Sequence, residues 1–315
     1  MTSELLSISI PTYNRANYLR ELLSSIEANL KESKFLHDQV KIYIFDNDST
    51  DETAKIVSSV NLNISYKKNQ KNIGGDPNIY QAYTVPEGKY IWVIGDDELI
   101  PEGTIAYLFD LIKNYNPGLI ITKSKEYNAF IEIPLFFENY KEFCLFAEKH
   151  NPHLLIAHSL ISANIIRKDC FDSQLAHENI LYSYAHFYGI VMGLSHSKAP
   201  VLFSQKNTLV VRSIRADQRA APQSNDSIAK YKKTIEDNQI RYLQWLKLEY
   251  NLLSIKPDKV AVDYEKKLMF YDFKRKPLTF TLGIIYRLLF FRFRFLRYIL
   301  EPVIGFYRLM RYGET

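Results

Sequence analysis

The chain reads as an α/β protein built on a mostly parallel sheet with helices on both faces. Three observations carry that expectation. Strand-like and helical patterns alternate over the first hundred residues, the strand-like runs are largely apolar, and polar clusters follow three of them. Alternation of this kind implies parallel strands joined by crossover helices. Apolar runs without strict alternation imply strands covered on both faces.

Residues 5–10 are strand-like and stop at Pro11-Thr12-Tyr13-Asn14-Arg15. A helical pattern follows over 18–30, with Leu19, Leu22, Leu23, Ile26 and Leu30 at helical spacing. Residues 40–45 make the second strand, which runs into Asp46-Asn47-Asp48-Ser49-Thr50-Asp51. Ser49 or Thr50 is expected to cap the next helix, whose first acids suit its N-terminal dipole. Residues 63–66 form a short third strand before Asn72-Ile73-Gly74-Gly75-Asp76-Pro77-Asn78. A helix through Tyr83 leads into a fourth strand over 90–94, ending at Gly95-Asp96-Asp97-Glu98.

That last strand end is the most informative. Three consecutive carboxylates repel one another, and a divalent cation would remove the penalty. Hard oxygen ligands suit Mg²⁺ or Mn²⁺. In sheets of this class ligands sit beyond the carboxyl ends of the strands, where these clusters lie. The Gly74-Gly75 pair is no dinucleotide fingerprint, because Gly-x-Gly-x-x-Gly is absent.

The bulk numbers fit a globular protein: 315 residues, 47% hydrophobic, 24% charged and a net charge of +5. That length holds one large domain with an appendage, or two domains. Cys144 and Cys170 lack zinc-site spacing and are expected to be buried thiols in a reducing compartment. The first residues carry no basic, apolar signal pattern, and no uncharged apolar run is long enough to span a bilayer. A cytoplasmic location is expected.

The order Ser-Ile-Pro-Thr-Tyr-Asn-Arg, Asp-Asn-Asp-Ser-Thr-Asp, Asn-Ile-Gly-Gly-Asp-x-Asn and Gly-Lys-Tyr-Ile-Trp-Val-Ile-Gly-Asp-Asp-Glu resembles family 2 glycosyltransferases of the GT-A fold. The similarity is to the abequosyltransferase-like branch that builds bacterial surface polysaccharides. It is closest over residues 5–105 and extends over 155–216. The resemblance implies a nucleotide-sugar donor across the sheet edge. Pro11, Thr12 and Tyr13 would line the base pocket, and Asp46 would accept a hydrogen bond from the base. Asn72, Gly74 and Gly75 would form the loop near the nucleoside, where glycine permits close approach.

Asp96 would touch ribose or metal, and Asp97 would ligate Mn²⁺ or Mg²⁺ bridging the diphosphate. The family commonly shows Asp-x-Asp where this chain has Gly95-Asp96-Asp97-Glu98. Either Asp97 carries the metal, or Asp96 and Glu98 flank it; Asp97 is favoured. An inverting transfer also needs a general base. Glu178 is the first choice, His186 the second, and Asp172 a third candidate. Residues 209–215 read as a strand whose Arg212 or Arg215 could clamp the diphosphate.

Three segments are expected: a glycosyltransferase domain over 1–220, a helical extension over 221–273, and basic amphipathic helices over 274–315. Residues 274–312 hold nine basic residues against one acid, Glu301. At helical spacing Arg287, Arg294, Arg297, Arg308 and Arg311 share one side, and Ile284, Leu288, Phe295, Ile299, Val303, Phe306 and Met310 the other. Pro302 should split the helix. A basic face opposite a bulky apolar face suits the anionic lipid of an inner-membrane interface. No nucleic-acid-binding motif accompanies these basic residues.

The functional expectation is a metal-dependent inverting glycosyltransferase at the inner face of the cytoplasmic membrane. It would move a sugar from a nucleotide-diphosphate donor, a UDP-sugar first, to a lipid-linked or growing surface glycan such as capsule, O-antigen or lipooligosaccharide. Two alternatives stand beside it. A nucleotidyltransferase would carry a Gly-rich phosphate loop near its start, and residues 10–17 contain no glycine. A membrane-docked nucleotide-sugar-binding protein without turnover would bind donor and release nothing.

Overall fold

The computed structural model describes residues 4–31, 34–124, 133–150, 154–155, 160–180 and 185–211. Arg212, Arg215 and the expected segments over 221–273 and 274–315 lie outside the described residues.

Among the described residues one sheet of eight strands organises the structure, in the order β3-β2-β1-β4-β7-β5-β8-β6. Its first half comprises β1 (Leu6–Thr12), β2 (Val40–Asp46), β3 (Ile64–Lys68) and β4 (Tyr90–Val93). All four are mutually parallel, with Thr12 level with Asp46 and Ser9 level with Val93. The second half comprises β5 (Leu119–Ile121), β6 (Phe136–Phe137), β7 (Asn164–Arg167) and β8 (Val201–Phe203). β7 runs antiparallel to both β4 and β5, so β5 and its parallel neighbour β8 keep the direction of β4. The expected α/β class with a mostly parallel sheet is therefore what forms, with β7 and β6 reversed.

The helices are α1 (Ala16–Leu30), α2 (Lys34–Gln39), α3 (Thr53–Ser59), α4 (Gly75–Thr84), α5 (Thr104–Tyr115), α6 (Tyr140–His150), α7 (Ser173–Glu178) and α8 (Ala185–Ser197). Alternate residues of β1, Leu6, Ile8 and Ile10, join Ile42, Ile44, Trp92 and Ile94 in one apolar cluster. On that face α1 contributes Leu19, Leu22, Leu23 and Ile26, α3 contributes Ile56, and α5 contributes Ile105 and Leu108. Each such side chain contributes roughly 1.5–3 kcal/mol when fully buried, as an upper bound. On the other face α4 packs across β1, β2 and β4, with Ala82 and Tyr83 buried and Asn78 Nδ2 donating to the Phe45 carbonyl at 2.9 Å.

Helix ends follow ordinary chemistry. α5 stops where Asn116 takes the left-handed conformation at φ 42° and donates its N–H to the Ile112 carbonyl, just before Pro117. The cap expected from Ser49 or Thr50 on α3 does not form. Glu52 stands at the N-cap without a side-chain bond, and Asp51 just before it accepts from Thr53 N–H at 3.1 Å while its other oxygen accepts from Ala16 N–H at the start of α1. One carboxylate therefore serves two helix N-termini, where partial positive charge favours it. The expected strand over 209–215 is reduced, among described residues, to bridges from Leu209 to Ser124 and from Val210 to Leu99.

Candidate active site

Strands β1, β2 and β4 end together, and their following loops are stitched into one platform. Asn14 Oδ1, after β1, accepts from the Thr50 N–H at 2.8 Å, and the Ser49 hydroxyl accepts from the Asn14 N–H at 2.9 Å. The Asn47 N–H donates to the Thr12 carbonyl at 2.9 Å. Pro11, Thr12 and Tyr13 thus sit beside Asp46, and Tyr13 leaves 42% of its surface exposed at the mouth.

Asp46 is fully buried, accepting from Ser49 N–H at 2.7 Å and from the Tyr66 hydroxyl. Burial and the neighbouring Asp46 push the Tyr66 phenol well above its ordinary range, so it remains a donor. Asn47, also buried, anchors the Asn72–Gly74 turn. Its amide donates to Asn72 Oδ1 at 2.9 Å and to the Gly74 carbonyl at 3.1 Å, and its Oδ1 accepts from the Ile73 N–H at 2.9 Å. Gly74 there adopts φ 91°, which a side chain would strain, and Gly75 opens α4.

The acidic end of β4 lies on the other side of β1. Asp96 is 2% exposed, and both its oxygens are engaged. Thr12 Oγ1 donates to Oδ2 at 2.7 Å, and Arg15 Nη1 donates to Oδ1 at 2.8 Å. Burial pushes this carboxyl upward, and the Arg15 charge with the two hydrogen bonds opposes the shift. Asp97 is more open, with 20% of its side chain exposed and Oδ2 4.0 Å from Arg15 Nη1. Glu98 turns back under the motif, where its Oε2 accepts from the Gly95 N–H at 3.2 Å. Burial pushes the Glu98 carboxyl up to about 8; a bond with Ser162 opposes this, and the Asp97 charge adds to it.

Among the described residues no group of three or more His, Cys, Asp or Glu side chains is placed to hold a metal by itself. The donor set still fits Mg²⁺ or Mn²⁺, which are commonly held by one or two carboxylates plus substrate phosphates. Asp97 is the more exposed carboxylate, with 20% of its side chain open against 3% for Asp96, whose two oxygens are both bonded. A small cavity of about 30 Å³ lies beside Glu98, walled by Thr122, Leu154, Leu160, Ser162 and Leu209 among others.

The three candidates for general base lie apart from one another in character. Asp172 is the N-cap of α7, accepting from Leu175 N–H at 2.9 Å. Glu178 is exposed on the last turn of α7 and accepts from Gln174 Nε2 at 3.2 Å. His186 is buried in α8 and stacks on Tyr83 with ring centroids 5.5 Å apart. Tyr83 in turn donates to the Ile161 carbonyl at 3.1 Å, next to Ser162, whose hydroxyl accepts from Gly95 N–H.

Four residues of this platform carry no assigned role in the sequence reading: Arg15, Asn47, Asp51 and Ser162. Arg15 and Asn47 stand inside the quoted clusters, so their positions were visible there. Ser162 was not, because only the antiparallel return of β7 brings residue 162 to Gly95.

Residues 7–152 match the family model described as glycosyl transferase family 2. Abequosyltransferase RfbV of Salmonella typhimurium is 38% identical over 108 residues, 33% of this chain and 31% of that protein. Glycosyltransferase GlyG of Streptococcus pneumoniae is 25% identical over 146 residues, 45% of this chain and 46% of that protein. The chain thus spans less than half the length of these curated relatives. A crystal structure of TarS from S. aureus, 18% identical, covers 78% of this chain and 46% of its own with a TM-score of 0.50. That likeness is one of fold, the GT-A arrangement.

Proposed function

We propose, from the match of residues 7–152 to the glycosyl transferase family 2 model, that the chain is a metal-dependent inverting glycosyltransferase. It moves a sugar from a nucleotide-diphosphate donor, with a UDP-sugar as first candidate, to a lipid-linked or growing bacterial surface glycan. The observation that carries this reading is the shared edge of β1, β2 and β4. There Thr12 lies level with Asp46 on the neighbouring strand and donates to Asp96, so the ends of β2 and β4 adjoin through that residue.

In this reading the base lies against Tyr13 and Asp46, and the turn over 72–75 follows the nucleoside. Asp96, held by Thr12 and Arg15, orients the ribose side, and Asp97 holds Mn²⁺ or Mg²⁺. A cation held by Asp97 would supply positive charge to offset the negative charge on the leaving nucleoside diphosphate. Glu178 is the proposed base for the acceptor hydroxyl, with His186 second and Asp172 third, since its Oδ1 already caps α7. Arg212 and Arg215, proposed on the diphosphate, follow Val210, which pairs with Leu99 two residues beyond Asp97.

The name that RfbV carries, abequosyltransferase, supports transfer of a sugar. Docking of residues 274–312 on anionic lipid is part of the proposal. Among the described residues no helix is long and apolar enough to cross a membrane.

Thermal-shift screening of nucleotide sugars with Mn²⁺ tests the donor class. A bound donor raises the unfolding midpoint by mass action. The reading expects one nucleotide family to stand out, and a flat response across UDP-, GDP-, CDP- and dTDP-sugars would contradict it.

A further inference from the structure

We propose that Arg15 reads the donor's diphosphate: one arm of its guanidinium holds Asp96 and the rest bonds phosphate oxygen. The inference deepens the donor-site reading above and rests on it.

Arg15 ends the loop between β1 and α1, three residues after Thr12, and these two side chains hold the two oxygens of Asp96. The loop thereby fixes the guanidinium beside both carboxylates, 2.8 Å from Asp96 and 4.0 Å from Asp97. Only Nη1 is engaged; among the described residues Nε and Nη2 have no hydrogen-bond partner. A third of the side chain, 33%, is exposed. A guanidinium fixed by one nitrogen, with its other donors open at the mouth of a site, is prepared for planar, bidentate contact with phosphate.

Charge leads to the same assignment. Among the described residues Arg15 is the only basic side chain within 4.0 Å of Asp96 or Asp97. Lys68, the other nearby cation, is 3.9 Å from Asp48 and donates to the Ser49 carbonyl, at the end of β2. A diphosphate brought to Asp97 would come within reach of Arg15. Because arginine keeps its proton, it would also stabilise the charge gained by the departing diphosphate.

The test is calorimetric binding to the full chain at fixed Mn²⁺, for wild type, Arg15→Lys and Arg15→Gln. UDP, GDP, CDP and dTDP are titrated, and the tightest is compared with its own nucleoside. The proposal expects Arg15→Gln to weaken the diphosphate at least about tenfold more than its nucleoside, with Arg15→Lys intermediate. Equal loss for nucleoside and diphosphate would overturn it, because Arg15 would then act only by placing Asp96. Undiminished diphosphate binding in both variants would overturn it as well. A wild type that binds none of the four diphosphates overturns the donor-site reading and this inference with it, a pattern distinct from the other two.

Discussion

Thr12 and Asp96 meet across 84 residues of sequence through a 2.7 Å hydrogen bond that joins the end of β1 to the acid motif after β4. Both residues are buried, so the bond is made away from water. Thr12→Val keeps the shape and removes the donor, leaving one carboxylate oxygen of Asp96 unpaired. Such a loss costs about 1–3 kcal/mol. Urea unfolding should therefore show a lower midpoint for Thr12→Val and near wild-type stability for Thr12→Ser. A valine variant as stable as wild type would mean that the bond contributes nothing.

Glu98 makes stability depend on pH in a defined direction. Its carboxyl rises from an ordinary 4.5 to about 8 in the folded protein. Between those values the folded state holds a proton that the unfolded state has lost. Stability therefore falls as pH rises from about 4.5 to 8 and levels off above. Glu98→Gln should flatten that slope and raise stability at pH 8 by roughly 1–3 kcal/mol in metal-free buffer. Parallel slopes for wild type and variant, from denaturation at several pH values, would refute the assignment.

Gly193 is a position where space, not chain freedom, decides. A Cβ built there would stand 2.1 Å from the Cys170 carbonyl oxygen, a backbone atom that cannot swing aside. Gly193→Ala should push α8 away from residue 170 and cost about 1–3 kcal/mol. An unchanged unfolding midpoint would show that the two segments separate freely.

The basic face over 274–312 predicts lipid dependence. In the full chain, replacing Arg287, Arg294, Arg297, Arg308 and Arg311 by Gln should abolish co-sedimentation with phosphatidylglycerol vesicles, each charge being worth roughly 1 kcal/mol. Phosphatidylcholine vesicles should capture neither form. Retention of the quintuple variant on phosphatidylglycerol would contradict the electrostatic docking.

Much of this fold was legible because its first half is local. The apolar runs at 5–10, 40–45 and 90–94 read as buried strands, and Leu19, Leu22, Leu23 and Ile26 at helical spacing read as the face that packs on them. The second half was harder to read. β5, β6 and β8 have three, two and three residues, too few for a periodic signal, and β7 pairs with partners far away in sequence. The site divides the same way. Clusters at 11–15, 46–51 and 95–98 announced themselves by composition. What each polar atom touches did not: the Asp51 cap on two helices, the Asn47 anchor and the Ser162 contact all depend on which loops meet.

The proposed role of Asp97 is to seat the cation of a glycosyl-transfer site. The most direct measurement is nucleoside diphosphate release from a panel of nucleotide sugars, with and without Mn²⁺, for wild type and Asp97→Asn. Wild type should release it in a Mn²⁺-dependent manner, and the variant should lose on the order of 100-fold or more. Equal release by both proteins, or release of pyrophosphate in place of nucleoside diphosphate, would contradict it.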